Sequence, residues 1–333
     1  MTGRLALLFL FAALTVTAAK AESVLLVVLK GAHAVGYYSL EGKLLATVPV
    51  GQHPHEMAIS PDGKYAYVSD NGTMRIEHAG KGGNTISIID IAARKRVGKI
   101  STGKYHRPHG LSVDPRTGYL AVTAEHPDRI LHIDPRERRV IRQFDPKGKT
   151  PHMVMLAPGK SGAEFAFVSN AGMDTVSVVQ LTTGMVKTIQ VGDRPEGSVL
   201  SKDGKELFVC NRDSGTISVI DVERQAAIGS IKTGGKGPVR IDITPDGATL
   251  VYALMHDHKI EFADVARRRP MAQIGVEGDP ISLSVSKDGK YAFASAEEKD
   301  TVFVISVPER KLIRSFKTAP GAAPDPVMLV EIP

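Results

Sequence analysis

The feature that most constrains the fold of this chain is a proline-led segment that occurs seven times. Successive leading prolines are 54, 43, 44, 43, 42 and 46 residues apart. In most copies the third and fifth residues after the proline are apolar, which is the period of a strand. A repeat of this length is typical of one four-stranded propeller blade. The copies are PHEMAIS at Pro54, PHGLSVD at Pro108, PHMVMLA at Pro151, PEGSVLS at Pro195, PVRIDIT at Pro238, PISLSVS at Pro280 and PVMLVEI at Pro326.

Turn sequences and further strands follow these copies. SPDGK at residues 60–64, SKDGK at 201–205 and 286–290, and TPDGA at 244–248 carry glycine at the left-handed position of a tight turn. A second strand such as YAYVSD, a third such as TISIID and a fourth such as residues 186–191 come next. The sequence therefore predicts an all-β fold of four-stranded antiparallel blades, with no helix outside the N-terminus.

The two ends of the chain complement each other. Residues 24–50 contain three strand-like pieces with no proline-led segment before them, and residues 326–332 are a proline-led segment with no strands after it. Joining them closes a seventh blade and removes the exposed edges of an open row of sheets. We predict one seven-bladed β-propeller domain over residues 22–333, its seventh blade closed by N- and C-terminal strands.

The N-terminus has the pattern of a secretory signal peptide. Arg4 precedes a run rich in leucine and alanine over residues 5–19, and Ala19-Lys20-Ala21 has the small-x-small form of a cleavage site. We predict a signal peptide over residues 1–21 and a periplasmic or secreted protein with no transmembrane segment after cleavage. The alternative is an uncleaved membrane anchor, for which the run is short.

Net charge and cysteine content restrict which functions the protein can have. Loss of Arg4 and Lys20 would lower the formal net charge from +6 to +4, which does not match a dedicated nucleic-acid binder. Cys210 is the only cysteine, so an intramolecular disulfide is excluded. It ends a strand in a position where other copies carry Ser69 or Ser169, which favours a buried packing residue. A thiol nucleophile is the alternative.

Three stretches resemble the YVTN-family β-propeller repeat: SPDGKYAYVSDN, EFAFVSNAGMDTVSVV and ELFVCNRDSGTISVID. The secreted seven-repeat layout is similar to that of the periplasmic members. This resemblance implies the propeller fold over the whole mature chain. It leaves the function open, since the family includes surface-layer and nucleic-acid-binding proteins, and related propellers act as lactonases, antibiotic lyases and tetrapyrrole-binding domains.

The histidines are the strongest functional signal. The loop before each leading proline and the loop after each second strand are expected to open on one face, and ten of the eleven histidines fall there, which leaves only His132 within a strand. Directly after the leading proline stand His55, His109 and His152 in three consecutive blades, then Glu196. Val239, Ile281 and Val327 take this position in the other blades. Imidazoles with a carboxylate suit Zn²⁺, Cu²⁺ or Fe²⁺. The alternative is that they are ordinary polar residues of a water-filled rim.

Further candidates surround this predicted metal site. The stretch between Asp70 and Thr85 is about ten residues longer than its counterparts, so it is either a cover for a ligand or a tolerated surface insertion. We predict a ligand-binding rim made of residues from the loops and the insertion: His53, His106, Arg107, Arg194, Arg240, His78 and Arg75.

These observations favour a propeller that binds a ligand or a protein partner on its histidine-rich face, with a divalent transition metal as its cofactor. The first alternative is a metal-dependent hydrolase or lyase of lactonase type, so whether the protein is an enzyme stays open. A further alternative is weak binding of single-stranded nucleic acid. The absence of tryptophan, CxxCH and GxSxG excludes a tryptophan-derived cofactor, covalently attached haem and a nucleophile elbow. Noncovalent haem-like binding through one rim histidine remains open.

Overall fold

The computed structural model describes residues 22–78, 80–158 and 164–332, which form seven four-stranded antiparallel sheets in a closed ring. The predicted all-β, seven-bladed propeller is therefore confirmed. Only two short 3-10 helices, Met255–Asp257 and Glu297–Lys299, interrupt the strands of the described part. The predicted signal peptide, residues 1–21, lies outside the described residues. No helix in the described ranges has the length and hydropathy needed to cross a membrane.

The strands follow one another in chain order within blades 1 to 6, and blade 7 combines strands from both ends of the chain. The chain enters in blade 7 with β1 (Glu22–Leu29), β2 (Ala34–Tyr38) and β3 (Leu44–Pro49). Blade 1 contains β4 (Pro54–Ile59), β5 (Tyr65–Asp70), β6 (Thr85–Asp90) and β7 (Lys95–Ser101). Blade 2 contains β8 (His106–Val113), β9 (Leu120–His126), β10 (Asp128–Asp134) and β11 (Arg139–Phe144). Blade 3 contains β12 (Pro151–Pro158), β13 (Glu164–Asn170), β14 (Thr175–Gln180) and β15 (Val186–Gln190).

The second half of the ring repeats this plan. Blade 4 contains β16 (Pro195–Leu200), β17 (Glu206–Asn211), β18 (Thr216–Asp221) and β19 (Ala226–Lys232). Blade 5 contains β20 (Pro238–Ile243), β21 (Thr249–Leu254), β22 (Lys259–Asp264) and β23 (Arg269–Gly275). Blade 6 contains β24 (Pro280–Val285), β25 (Tyr291–Ala296), β26 (Thr301–Ser306) and β27 (Lys311–Lys317). Strand β28 (Pro324–Ile332) pairs with β1 and completes blade 7, so closure by both terminal strands is also confirmed.

The hydrophobic core is divided into seven clusters of the described residues, one between each pair of neighbouring blades. The alternating apolar residues of the inner strands face these interfaces, as Phe208 of blade 4 and Tyr252 of blade 5 do. Each fully buried aromatic or aliphatic side chain of this kind contributes about 1.5–3 kcal/mol. Cys210 is buried in the same cluster, and burial raises the pKa of its thiol. This supports a packing role and argues against a thiolate nucleophile.

The predicted tight turns carry their own hydrogen bonds. In the first one, Asp62 Oδ1 accepts from Ser60 Oγ at 2.6 Å and from the Lys64 backbone N–H at 3.1 Å, and Gly63 has a φ of 73°. These bonds lower the pKa of Asp62. The same arrangement recurs around three further carboxylates: Asp203, Asp246 and Asp288.

Asp62→Ala is expected to lower the free energy of unfolding by about 1 kcal/mol, because it removes two hydrogen bonds from an exposed turn. Urea denaturation of the two proteins measures the difference. Lys64→Ala is the matched control in the same turn, since its side chain is 73% exposed and makes only a long ion pair of 3.8 Å. A loss of stability as large in the lysine variant would contradict the assignment to Asp62.

A β-bulge directly after the leading proline occurs in every blade. In blade 1, Pro54 pairs with Asp70 and Met57 pairs with Val68. Between these two pairs β4 advances by three residues and β5 by two, so β4 contains one extra residue. The other six blades have the same offset. A bulge leaves one residue unpaired and re-aims its side chain. The residue after the leading proline is thereby released from the ladder.

The register of this bulge corrects the sequence prediction for blade 7. There Pro324 pairs with Leu29 and Val327 with Val27, which is the offset seen between Pro54 and Met57 in blade 1. The leading proline is therefore Pro324 and not Pro326. Asp325 takes the position that the repeat pattern had assigned to Val327.

Neighbouring blades also share buried polar contacts. Asp242 lies near the end of β20 in blade 5. Its Oδ2 accepts from the Val285 backbone N–H of blade 6 at 2.7 Å, and its Oδ1 accepts from the Ile243 N–H at 2.8 Å. Burial raises the pKa of Asp242 from 3.8 to about 6. The carboxyl group therefore joins two blades, and the free energy of burying it is higher when it is ionised than when it is protonated.

Candidate functional site

A cavity of about 280 Å³ lies at the mouth of the central channel. Two rings of residues build most of its wall. The first ring is the residue that the bulge releases in each blade: His55, His109, His152, Glu196, Val239, Ile281 and Asp325. The leading proline of each blade pairs with a residue of the second strand, and the second ring consists of the residues directly after these pairing partners. Four of them belong to the wall: Lys30, Arg212, Met255 and Glu297. The structure thus brings the post-proline residues of all seven blades to one cavity.

The three predicted histidines from neighbouring blades are in contact on one side of this cavity. His55 Nδ1 is 3.1 Å from His109 Nε2, and their ring centroids are 4.8 Å apart. The rings of His109 and His152 are closer, with centroids 3.9 Å apart and planes inclined by 32°. The expectation that only His132 lies within a strand is wrong, because strands β4, β8, β9 and β12 extend to the mouth and include five histidines: His55, His106, His109, His126 and His152.

Burial keeps the first two imidazoles neutral. Desolvation, together with the charge of Lys30 for His55 and of His152 for His109, holds the pKa of both well below 6.5. His55 Nε2 is 2.6 Å from the Thr73 carbonyl oxygen, so this nitrogen donates and His55 Nδ1 accepts from His109 Nε2. His109 Nδ1 then carries a lone pair, is buried and has no hydrogen-bond partner. A neutral imidazole with a free lone pair is the form that binds metals.

Glu125 completes a cluster with the geometry of a metal site. Single ligand atoms of His109, Glu125 and His152 lie within 4.8 Å of one another, and no other such group occurs among the described residues. Glu125 Oε1 is 3.2 Å from His152 Nδ1, while Glu125 Oε2 is buried without a hydrogen-bond partner. Two imidazoles and one carboxylate form a ligand set that suits Zn²⁺ or Fe²⁺.

Glu125 was not among the predicted ligands, because this residue belongs to the second ring and not to a proline-led segment. The feature that could have identified Glu125 is its position directly after Ala124, which pairs with the leading proline Pro108. Arg212 and Glu297 hold the same position in blades 4 and 6, and both lie in the cavity wall.

Glu196, the fourth predicted metal ligand, lies beside the cluster and is held by arginines. Its Oε1 accepts from Arg212 Nη1 at 3.0 Å and from Arg194 Nε at 3.4 Å, and its Oε2 is 3.7 Å from His152 Nε2. Burial raises the pKa of Glu196, but the charges of His152, Arg212 and Arg240 outweigh this and lower it. Glu196 is therefore an ionised neighbour of the three-residue cluster.

Two further ionic contacts join blades around the channel. Arg240 Nη2 of blade 5 donates to Glu56 Oε1 of blade 1. Lys30 Nζ is 2.9 Å from Glu297 Oε2 and 3.3 Å from Asp325 Oδ2. Burial raises the pKa of Asp325 to about 6, against the lowering effect of Lys30. Most charges of the cavity are thus already paired within the protein.

The insertion of blade 1 crosses the mouth of the cavity. Four of its residues belong to the wall: Met74, Arg75, Ile76 and Glu77. Arg107 holds their backbone, because its Nη2 donates to the carbonyl oxygens of Arg75 at 3.1 Å and Ile76 at 2.8 Å. Arg107 Nε is also 3.5 Å from Glu125 Oε2, which places this arginine between the insertion and the metal-type cluster.

The other predicted ligand-binding residues divide into two groups. The cavity wall contains three of them: Arg75, Arg194 and Arg240. The remaining four lie outside the wall: Arg107, His53, His78 and His106. The ring of His53 packs edge-on against His33 with centroids 4.5 Å apart, and His106 Nδ1 is 3.3 Å from the Gly82 carbonyl oxygen.

Comparison with known proteins gives one family match and one curated relative. Residues 202–326 match the family described as Cytochrome D1 heme domain; this stretch contains Arg212 and Arg240 but none of the three cavity histidines. Antigen Lp49 of Leptospira interrogans serogroup Icterohaemorrhagiae serovar copenhageni is 28% identical over 224 residues, which cover 63% of this chain and 48% of that protein. The chain therefore spans about half the length of the curated relative it matches.

Solved structures with similar folds include a functionally unknown protein from Desulfotomaculum acetoxidans DSM 771, with a TM-score of 0.77 and 14% identity over 93% of this chain and 99% of that chain. Kuenenia stuttgartiensis hydrazine synthase has a TM-score of 0.66 and 18% identity over 87% and 91%. Dihydro-heme d1 dehydrogenase NirN in complex with DHE has a TM-score of 0.62 and 18% identity over 90% and 64%. At these identities the similarity shows the fold alone. The narrower resemblance to the YVTN repeat stays a prediction.

Proposed function

We propose that this propeller binds a small ligand in its central cavity with the help of a divalent transition metal held by His109, Glu125 and His152. The cluster of these three residues is the observation that carries the proposal. Its buried His109 Nδ1 has no hydrogen-bond partner and offers a lone pair to a cation. Glu125 Oε2 likewise accepts no hydrogen bond, although Arg107 Nε lies 3.5 Å away as an ion-pair partner. The hydrogen bond from His109 to His55 would orient the imidazole, as is usual for metal-bound histidine.

A bound metal of this type would supply a Lewis-acidic position facing the cavity. The surrounding side chains favour binding over catalysis. Among the described wall residues there is no serine, threonine or cysteine for covalent catalysis, so a reaction at this site would depend on metal-bound water as the nucleophile. A lactonase-type hydrolase or lyase remains the alternative use of the same site, and assays of metal-loaded protein with lactones test it. Nucleic-acid binding has less support, because Arg194, Arg212 and Arg240 already contact carboxylates.

A haem-type ligand is the second candidate, and the match of residues 202–326 to the Cytochrome D1 heme domain favours it. Dihydro-heme d1 dehydrogenase NirN, a structural neighbour, is described as a complex with DHE. A rim histidine would then hold the iron of such a ligand. The cavity of about 280 Å³ lies just below the usual range of ligand-pocket volumes, about 300–1,000 Å³. Haem binding would therefore require the insertion to move, and titration of the protein with haem, followed by absorption spectroscopy, tests it.

We also propose that the protein is exported to the periplasm or secreted, with residues 1–21 removed. The support is the short apolar run after Arg4 and the small residues at positions 19 and 21. N-terminal sequencing of the protein from its natural host tests this directly.

Metal titration of protein purified without a histidine tag tests the main proposal. We expect about one Zn²⁺ or Fe²⁺ per chain, and about 10–100-fold weaker binding in each of His109→Ala, Glu125→Gln and His152→Ala. His256→Ala is the matched control, because this histidine is exposed and lies outside the cavity wall. Metal binding that survives in all three cluster variants, or none in the wild type, would refute the assignment.

A further inference from the structure

The insertion of blade 1 places two opposite charges over the mouth of the cavity. Glu77 Oε1 accepts from Arg194 Nη2 of blade 4 at 3.0 Å. Arg75 Nη2 is 3.9 Å from Glu297 Oε1 of blade 6. The segment thus reaches from blade 1 to two blades on the far side of the ring, and each of its charges meets a wall residue of opposite sign.

The wall itself is divided in the same way. Blade 4 contributes two arginines, Arg194 and Arg212, which share the single carboxylate of Glu196. Four carboxylates come from blades 6 and 7: Asp279, Glu297, Glu298 and Asp325. Lys30 is the main counter-charge of this second group, through its contacts with Glu297 and Asp325. The cavity therefore has a cationic side and an anionic side.

Each side also contains a buried polar atom that no protein group satisfies. On the cationic side the Arg212 Nε–H has no hydrogen-bond acceptor, and on the anionic side Asp325 Oδ1 has no donor. Buried polar atoms are normally hydrogen-bonded, so two unsatisfied ones in a cavity wall indicate where ligand atoms can bind. The missing partners are an acceptor beside Arg212 and a donor beside Asp325.

We propose that the ligand of this cavity is a small zwitterion, whose carboxylate binds at Arg194 and Arg212 and whose ammonium group binds at Glu297 and Asp325. Glu77 and Arg75 occupy the outer part of these two positions, through their contacts with Arg194 and Glu297. This inference rests on the proposed function in one respect only, namely that the cavity binds a small molecule.

The rest of the wall fits the middle of such a molecule. Val239, Met255 and Ile281 supply apolar surface between the two charged sides. No described wall residue is phenylalanine, tyrosine or tryptophan, so the aromatic cage that recognises quaternary ammonium groups is absent from this part of the chain. The wall therefore favours a primary ammonium group, which donates hydrogen bonds, on a short aliphatic chain.

Calorimetric titration of the full mature chain, with its metal removed by a chelator, tests the inference. The probes are glycine, β-alanine, γ-aminobutyrate and ε-aminocaproate, with butyrate and butylamine as monofunctional controls. We expect at least one ω-amino acid to bind at least about tenfold more tightly than either control, because only the zwitterion pairs with both sides. No preference for any of the four zwitterions would overturn the proposal.

Variants of the insertion and of the wall are expected to act in opposite directions. Glu77→Gln and Arg75→Gln remove the competing charges and should tighten binding of the preferred probe by about two- to fivefold. Arg194→Gln and Glu297→Gln should weaken it by at least about tenfold. Glu309→Gln, at an exposed ion pair with Lys311 on the outer surface, is the matched control and should change nothing.

Weaker binding in both insertion variants would contradict the role given to Glu77 and Arg75, since that result would make them direct ligand contacts. The chelated protein separates this inference from the metal proposal. Zwitterion binding without metal affinity would refute the metal cluster alone, and metal binding without zwitterion preference would refute the ligand class alone.

Discussion

Glu56→Leu is expected to lower the free energy of unfolding by about 3–5 kcal/mol, because it leaves Arg240 as an uncompensated charge inside the channel. The two side chains are only 9% and 11% exposed, and their ion pair joins blades 1 and 5. Removing one partner of a buried pair costs the desolvation of the other, whereas the intact pair contributes little net stability. Arg240→Met should therefore be destabilising as well.

The double variant Glu56→Leu/Arg240→Met separates the cost of an unpaired buried charge from the net contribution of the intact ion pair. It is expected to be closer in stability to the wild type than either single variant, because no unpaired charge remains. Urea denaturation of all four proteins gives the coupling energy. Glu22→Leu is the control at an exposed ion pair, with Arg94 at 2.5 Å, and should cost less than about 1 kcal/mol. Additive effects in the double variant would contradict a buried, coupled pair.

The second large effect is a pH dependence that comes from Asp242. Its pKa is 3.8 in the unfolded reference and about 6 in the folded protein, so the folded state binds the proton more tightly. The contribution of this group to stability is therefore greatest at low pH and is lost as the pH rises through about 6. Raising the pKa from 3.8 to about 6 corresponds to a total change of about 3 kcal/mol in the free energy of unfolding, at about 1.36 kcal/mol for each pKa unit.

Asp242→Asn removes this titration. The difference in unfolding free energy, wild type minus variant, should fall by about 2.4 kcal/mol between pH 4 and pH 7, because the carboxyl group of the unfolded chain is already partly ionised at pH 4. A constant offset from the lost acceptor does not change this difference. Asp203→Asn is a control of opposite sign, because the Ser201 hydroxyl and the Lys205 backbone N–H lower the pKa of Asp203. A difference for Asp242→Asn that does not change with pH would show that this carboxyl group is not the source.

The fold could be predicted from the sequence because its information is local. The strand period, the turn sequences and the repeat length each lie within one blade, and the blade is repeated. The register of blade 7 could not be predicted in the same way. Pro324 and Pro326 differ by two residues, so both preserve the same alternation of faces. Only the pairing of β28 with β1, which is more than 290 residues away in the chain, distinguishes them.

The candidate site was predicted only in part for a related reason. His55, His109 and His152 share one position in a repeated segment, so a comparison of the copies identifies them. Glu125 has no such mark, because its relation to the histidines depends on how β9 pairs with β8. The contact between Glu77 and Arg194 joins residues 117 positions apart through an insertion that no other blade repeats. Such contacts follow from three-dimensional placement and leave no periodic signal.

The bulge after each leading proline has a consequence for how a protein of this kind can change. The residue that it releases contributes a side chain to the cavity but is not paired in the ladder. Of the seven released residues only Val239 belongs to an interblade hydrophobic cluster, so substitutions at the other six positions alter the cavity wall without removing a member of those clusters. Chains that share this scaffold can therefore diverge in what they bind while the propeller itself is preserved.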